Sequence, residues 1–148
     1  MDFPARPGIA TNIPNHLFEG LGITDADVLR ARDYLVVLES EEEVRSIQPN
    51  FEKLAKVDCT GIIVTAPGED VDFVSRFFAP QFGVPEDPVT GSAHCTLAPY
   101  WSEVLGKNEL TARQVSERGG ELACKLVGER VHIAGRAVLY SRGVLATE

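Results

Sequence analysis

The strongest pattern early in the chain is the unbroken apolar run Tyr34-Leu35-Val36-Val37-Leu38, set between Asp33 and Glu39. A run so short and continuous predicts a buried strand over 33–39. Ser40 follows, with Glu43 three residues later and acidic residues between, which is the signature of a capping box at the positive end of a helix. A second short helix is expected over 50–56, after Gln48-Pro49, and a β-branched strand over 61–65. Past residue 70 the pattern changes. Val71 to Phe78 reads as a strand with aromatic weight. Leu97, Ala98, Tyr100, Trp101, Val104 and Leu105 then recur at spacings of three and four, which predicts a helix from about Ser92 to Leu105, stopped by Gly106. Segments 110–116, 120–127, 130–133 and 137–141 alternate apolar and polar positions or carry β-branched residues, with Gly-containing turns between them. A meandering antiparallel sheet needs a cover for its apolar face, and the helix over 92–105 is the apolar helix long enough to supply it. The expected class is α+β. Residues 1–25, punctuated by Pro4, Pro7, Pro14, Gly8, Gly20 and Gly22, predict an irregular lead-in with room for one helical turn over 16–21.

Composition narrows the partners more than the fold. With 148 residues, 44% of them hydrophobic, the chain can build one core, and no interior linker divides it, so 1–148 is read as a single domain. A net charge of -8 argues against a nucleic-acid backbone as partner, since that requires clustered Lys and Arg. No apolar stretch reaches the roughly 20 residues of a membrane span, and Met1-Asp2-Phe3-Pro4 lacks the regions of a signal peptide, so the expected compartment is the cytoplasm and no membrane partner is expected. Cys59, Cys95 and Cys124, like His16, His94 and His132, are too scattered to signal a disulfide frame or a zinc site. The thiols are read as reduced and packed, and neither metal nor cofactor is expected.

Candidate chemistry gathers in Glu86-Asp87-Pro88-Val89-Thr90-Gly91-Ser92-Ala93-His94-Cys95. Pro88 biases Asp87 towards extended backbone, Gly91 lets the main chain approach a ligand, and the predicted helix start supplies free amides that favour carboxylates and phosphates. Glu86 and Asp87 are the acid-base candidates, because a carboxyl partly removed from water moves towards the working range of proton transfer. Asp87, nearer the helix start, is the inward one, unless it only caps the Thr90-Gly91-Ser92 turn. Thr90 and Ser92 can each cap the helix while touching a ligand. His94 reads as a packed core residue that could support the site, Tyr100 and Trp101 as core, and Cys95 as packed. Arg76 and Arg118 could assist an anionic ligand or serve as surface ion pairs.

The stretch RFFAPQFGVPEDPVTGSAHCTLAPYWSEVLGKNELTARQVSERGG, continuing to GERVHIAGRAVLYSRG, resembles the C-terminal half of the phenazine-biosynthesis PhzF-like isomerases. MDFPARPG resembles the segment at which that half begins. The resemblance implies a diaminopimelate-epimerase-like fold, in which two similar halves each wrap a sheet round a central helix and the active site lies between them. Here it implies one such half, a β-rich half-barrel around Ser92–Leu105. It also implies cofactor-independent proton transfer, isomerising or epimerising a small carboxylate substrate. By matching position Asp87 is the active-site acid, Gly91 and Ser92 hold the substrate carboxylate, and Thr90 lines the pocket. Racemases of this fold place a cysteine before the glycine at each helix start. Thr90 stands there instead, so a two-cysteine mechanism is disfavoured.

Complete members carry a first half with a catalytic glutamate and a Gly-His helix start. Glu19, Glu39 and the run Glu41 to Glu43 lie in other contexts, so the complementary N-terminal half is expected to be absent from residues 1–148. Three readings follow. The chain is a catalytic half completed by that missing half, an anion-binding interaction module without turnover, or a half that pairs with a second copy of itself.

Overall fold

A computed structural model of the chain describes residues 1–144. Its strands are β1 (Asp2–Pro4), β2 (Ile9–Ala10), β3 (Asp27–Arg30), β4 (Tyr34–Val37), β5 (Ile62–Pro67), β6 (Phe73–Phe78), β7 (Glu109–Gln114), β8 (Gly120–Val127) and β9 (Arg130–Gly135). The helices are α1 (Leu17–Leu21), α2 (Glu41–Ser46), α3 (Phe51–Leu54) and α4 (His94–Leu105). The nine strands form one sheet in the order β1-β9-β8-β7-β6-β5-β4-β3-β2. It is an α+β, sheet-dominated fold, as the pattern predicts.

Two neighbouring pairs are parallel, β4 with β5 and β6 with β7, and each is joined by a helical crossover. The first crossover carries α2 and α3, the second α4, and they lie on opposite faces. Val36, Ile62, Val64, Val74 and Phe78 pack with Leu17, Val44 and Leu54 of α1–α3, whereas Leu35, Ile63, Phe73 and Phe77 pack with Leu97, Ala98 and Trp101 of α4. Burial on both faces explains why β4 and β5 read as continuous apolar runs. Strands β7 to β9 bury one face only, with Leu110, Ala112, Leu122, Cys124, Val131 and Ile133 turned to α4. That is why they alternate.

Ser40 caps α2 by accepting from the Glu43 amide at 3.2 Å, and Gly106 ends α4 with φ 64°, both as expected. Helix α4 contains Pro99, whose ring nitrogen cannot donate to the Cys95 carbonyl one turn earlier. The Arg6 amide takes that role at 2.8 Å, so the lead-in segment crosses the start of α4.

The lead-in departs from expectation in another way: it supplies both edge strands. β1 pairs antiparallel with β9 and β2 with β3. Pro4 and Ile9 stand five residue steps apart, at most about 18 Å, while nine flat strands would separate their edges by about 38 Å. The sheet is therefore bent round on itself, though it stays open, with no ladder between β1 and β2.

The strand expected over 137–141 is absent. Those residues have no ladder partner among the described residues, and Val138 and Tyr140 stand almost fully exposed there. The physical reason is occupancy: the free edge of β9, where the next strand of a meander would pair, is taken by β1.

Candidate active site

Strand β6 runs into a loop whose direction is set by two backbone contacts. Ala79 and Val84 exchange hydrogen bonds around a short 3-10 turn, and the Asp87 amide donates to the Phe77 carbonyl at 3.0 Å. This delivers Asp87 to the mouth of α4, which is preceded by a 3-10 turn over Gly91–Ala93. The His94 amide bonds back to the Gly91 and Ser92 carbonyls, which leaves the amides of Gly91 and Ser92 at the positive end of the helix without an intrahelical acceptor.

Glu86 and Asp87 point to different tasks. Glu86 forms a two-pronged pair with Arg76, at 2.8 and 2.9 Å, and the same guanidinium donates to the carbonyls of Val44 and Ile47 at the end of α2. Arg76 is only 11% exposed. The pair fastens α2 to the sheet, so of the two readings the sequence left open for Arg76 the structure shows an ion pair, with Glu86 as its partner.

Asp87 instead accepts a hydrogen bond from the Thr90 hydroxyl through Oδ2, and Oδ1 meets no donor among the described residues. Gln114, fully buried at the end of β7, holds the loop in place. Its amide nitrogen donates to the Asp87 carbonyl at 2.6 Å and to the Thr90 hydroxyl at 3.2 Å, and its oxygen accepts from the Thr90 amide at 2.7 Å. Ser116 adds a bond to the Pro88 carbonyl at 2.8 Å. Sequence reasoning passed over Gln114. The available signal was its register: it follows Leu110 and Ala112 at period two, a polar side chain on the buried face, where it needs partners.

Neither Thr90 nor Ser92 caps the helix with its side chain. Thr90 spends its hydroxyl proton on Asp87, while the Ser92 hydroxyl accepts from Arg32 at 3.0 Å. Among the described residues, apart from its chain neighbours, nothing lies within 4 Å of where a Gly91 side chain would begin, so that side of the backbone is open to a ligand. Gly91 borders a recess of about 440 Å³ shared with Val89, Arg118 and Gly120, and Arg118 also lines a second recess beside Glu86 and Pro88. A wider groove of about 910 Å³, edged by Asp72, Lys107, Thr111 and His132, shares Met1, Ile133 and Ala134 with the recess at Gly91.

His94 is entirely buried. Its Nδ1 donates to the Thr90 carbonyl at 2.8 Å, Nε2 is left without a partner, and the ring lies 5.9 Å from that of Phe73. Burial pushes its pKa down to about 4, against a small opposing effect of the Thr90 carbonyl. His94 is thus a neutral core residue that steadies the Thr90 turn. Cys95 is buried too, and burial raises its thiol above the usual value despite the nearby charges of Arg6 and Arg32. Cys59 and Cys124 are pushed up to about 11 and about 12 for the same reason. Trp101 stacks on Phe73 at 5.7 Å and donates to the Thr65 hydroxyl, so it belongs to the core. Among the described residues, no helix is long and apolar enough to cross a membrane.

Comparison with known proteins places this geometry. The model of the family described as phenazine biosynthesis-like protein matches residues 17–143. An uncharacterized isomerase of Pseudomonas aeruginosa is 56% identical over 144 residues, covering 97% of this chain and 55% of that protein. The crystal structure of a PhzF-family phenazine biosynthesis protein from Enterococcus faecalis superposes with a TM-score of 0.91 at 43% identity, covering 95% of this chain and 55% of the other. A putative phenazine biosynthesis protein from Clostridium difficile gives 0.89 at 44%, covering 99% and 57%. The chain spans about half the length of each of these relatives. By sequence and by fold, it belongs to the phenazine biosynthesis-like, or PhzC-PhzF, family.

Proposed function

We propose that this chain is the C-terminal wall of a PhzF-type isomerase site, a half-barrel around α4 that moves a proton on a small carboxylate substrate without a cofactor. Asp87 is the proton-transferring group, and the amides of Gly91 and Ser92 with the Ser92 hydroxyl hold the substrate carboxylate. Thr90 lines the pocket and orients Asp87. The observation that carries this reading is the Asp87-Thr90-Gln114 network, which fixes one carboxylate oxygen of Asp87 and leaves the other without a donor at the mouth of α4. Such a group beside preorganised amides suits carbanion-like charge developing next to a carboxylate. The naming of relatives as isomerases and the half-length coverage support the same view, with a complementary half supplying the catalytic glutamate.

The test joins this chain to the remaining half of the Pseudomonas aeruginosa relative and follows deuterium uptake from heavy water into a panel of small unsaturated and α-chiral carboxylates. Exchange in the joined protein, reduced about 10²- to 10⁴-fold by Asp87→Asn, is expected. Exchange that Asp87→Asn leaves intact would remove Asp87 from the mechanism. A joined, folded protein exchanging nothing would favour an anion-binding module without turnover.

A further inference from the structure

The β3–β4 hairpin places its tip against the mouth of α4. Arg32, in the turn between Asp27–Arg30 and Tyr34–Val37, sends Nε and Nη2 to the carboxylate of its neighbour Asp33, at 3.2, 3.3 and 2.8 Å, and Nη2 also to Ser92 Oγ at 3.0 Å. Asp33 is 1% exposed and Arg32 is 37% exposed. The carboxylate is thus a buried mooring, while the guanidinium reaches the surface beside a residue sixty positions away. Nη1 has no acceptor among the described residues.

Two consequences follow from donor counting. A serine hydroxyl has one proton, and a guanidinium has no lone pair to receive it. With Arg32 donating to Ser92 Oγ, that proton is turned away from Arg32 and is free for a ligand. The Nε–Nη2 edge holds Asp33 and the second Nη2 hydrogen is on Ser92, so the idle Nη1 hydrogens are those left to donate to a carboxylate oxygen. Asp33 and Asp87 both put negative charge at this end of the helix, so an anion is accepted only where a cation offsets it. Arg118 borders the Gly91 recess, and Arg32 is the cation bonded to Ser92.

We propose that Arg32 is a specificity-determining residue of this site: moored by Asp33, it orients the Ser92 hydroxyl and supplies the positive charge that selects an anionic carboxylate over its neutral amide. This rests on the reading of Gly91 and Ser92 as the carboxylate cradle. Amide NMR of the whole chain, titrated with acetate and separately with acetamide at low salt, tests both. Saturable shifts of the Gly91 and Ser92 amides are expected with acetate and much weaker ones with acetamide. Arg32→Gln should weaken acetate binding about five- to tenfold and leave the acetamide response unchanged, and Arg32→Lys should recover part of the loss. Because Arg32→Gln strands the Asp33 carboxylate, the double variant Arg32→Gln/Asp33→Asn keeps a neutral hydrogen-bonded pair and should show the same loss of preference. Acetate binding equal to the parent's in the double variant would reduce Arg32 to a strut while the cradle stands. Absence of saturable shifts at Gly91 and Ser92 in the parent chain would overturn the cradle itself, and the inference with it.

Discussion

Gln114 makes three hydrogen bonds that the backbone of the Asp87–Thr90 loop cannot replace from elsewhere, so Gln114→Leu leaves the Thr90 amide and the Asp87 carbonyl unpaired. Each orphaned buried group costs about 1–3 kcal/mol. We expect a loss of about 2–5 kcal/mol in urea unfolding, with the proton exchange proposed for the joined protein falling at temperatures where it is still folded. His94 gives a pH signature. Its folded pKa, about 4, lies below the ordinary imidazole value of 6.5, so the unfolded chain binds the proton first. Stability from this residue is therefore intact above about 6.5, falls as the pH drops towards 4, and falls no further below it. The loss is on the order of 3 kcal/mol. His94→Asn, with its amide towards the Thr90 carbonyl, should lack this slope, and the difference between the two urea-midpoint profiles isolates it. The acidic pair shows the limit of reading at this scale. Asp87 could be preferred over Glu86 from its place beside Pro88, but the partner that claims Glu86 is Arg76, ten residues back and one strand away, and nothing local announces it.

At the level of elements, the Pro88–Thr90 loop is wedged against β8. A side chain at Gly120 would meet the Val89 Cγ2 at 2.4 Å, nearer than a Cβ can stand. Gly120→Ala should therefore push Val89 and the loop outward, costing about 1–3 kcal/mol by overpacking and weakening acetate binding at Gly91 and Ser92. Val89→Ala in the same chain should restore much of both, and an unrelieved double variant would show that the strain lies elsewhere. A cap is simpler. Ser40→Ala removes the acceptor for the Glu43 amide and should cost about 1 kcal/mol without touching the site. Elements with strong internal periodicity, α4 above all, were legible from sequence, and so were β4 and β5 from their apolar runs. β1, β2 and β3 were not, because strands of two to four residues carry too few positions for an alternation. What makes them strands is a partner far along the chain, which also decides that 137–141 has none.

Across the whole molecule, the α+β class and the packing of α4 on one face of the sheet followed from apolar faces that had to be covered, while the curvature of the sheet did not. It depends on four residues, Ala5 to Gly8, joining strands at opposite edges. Their crossing of α4 is marked by the Arg6 amide on the Cys95 carbonyl, the group that Pro99 leaves without its helical donor. Native-state hydrogen exchange should find the Arg6 amide protected as well as those of β9, although it lies in an irregular segment; rapid exchange there would mean the strap opens independently. The same crossing orders events in time. Asp2 to Pro4 pair with Arg130 to His132, so β1 waits for β9, the last strand described here, before it can join the sheet. Until then β1 has no ladder partner, and the edge of β9 stays bare until β1 docks on it. Pairings this remote in sequence make folding slow and expose sticky intermediates. During that interval the nascent chain depends on its neighbours for protection, and a strap threaded last makes the helix mouth the final part of the molecule to mature.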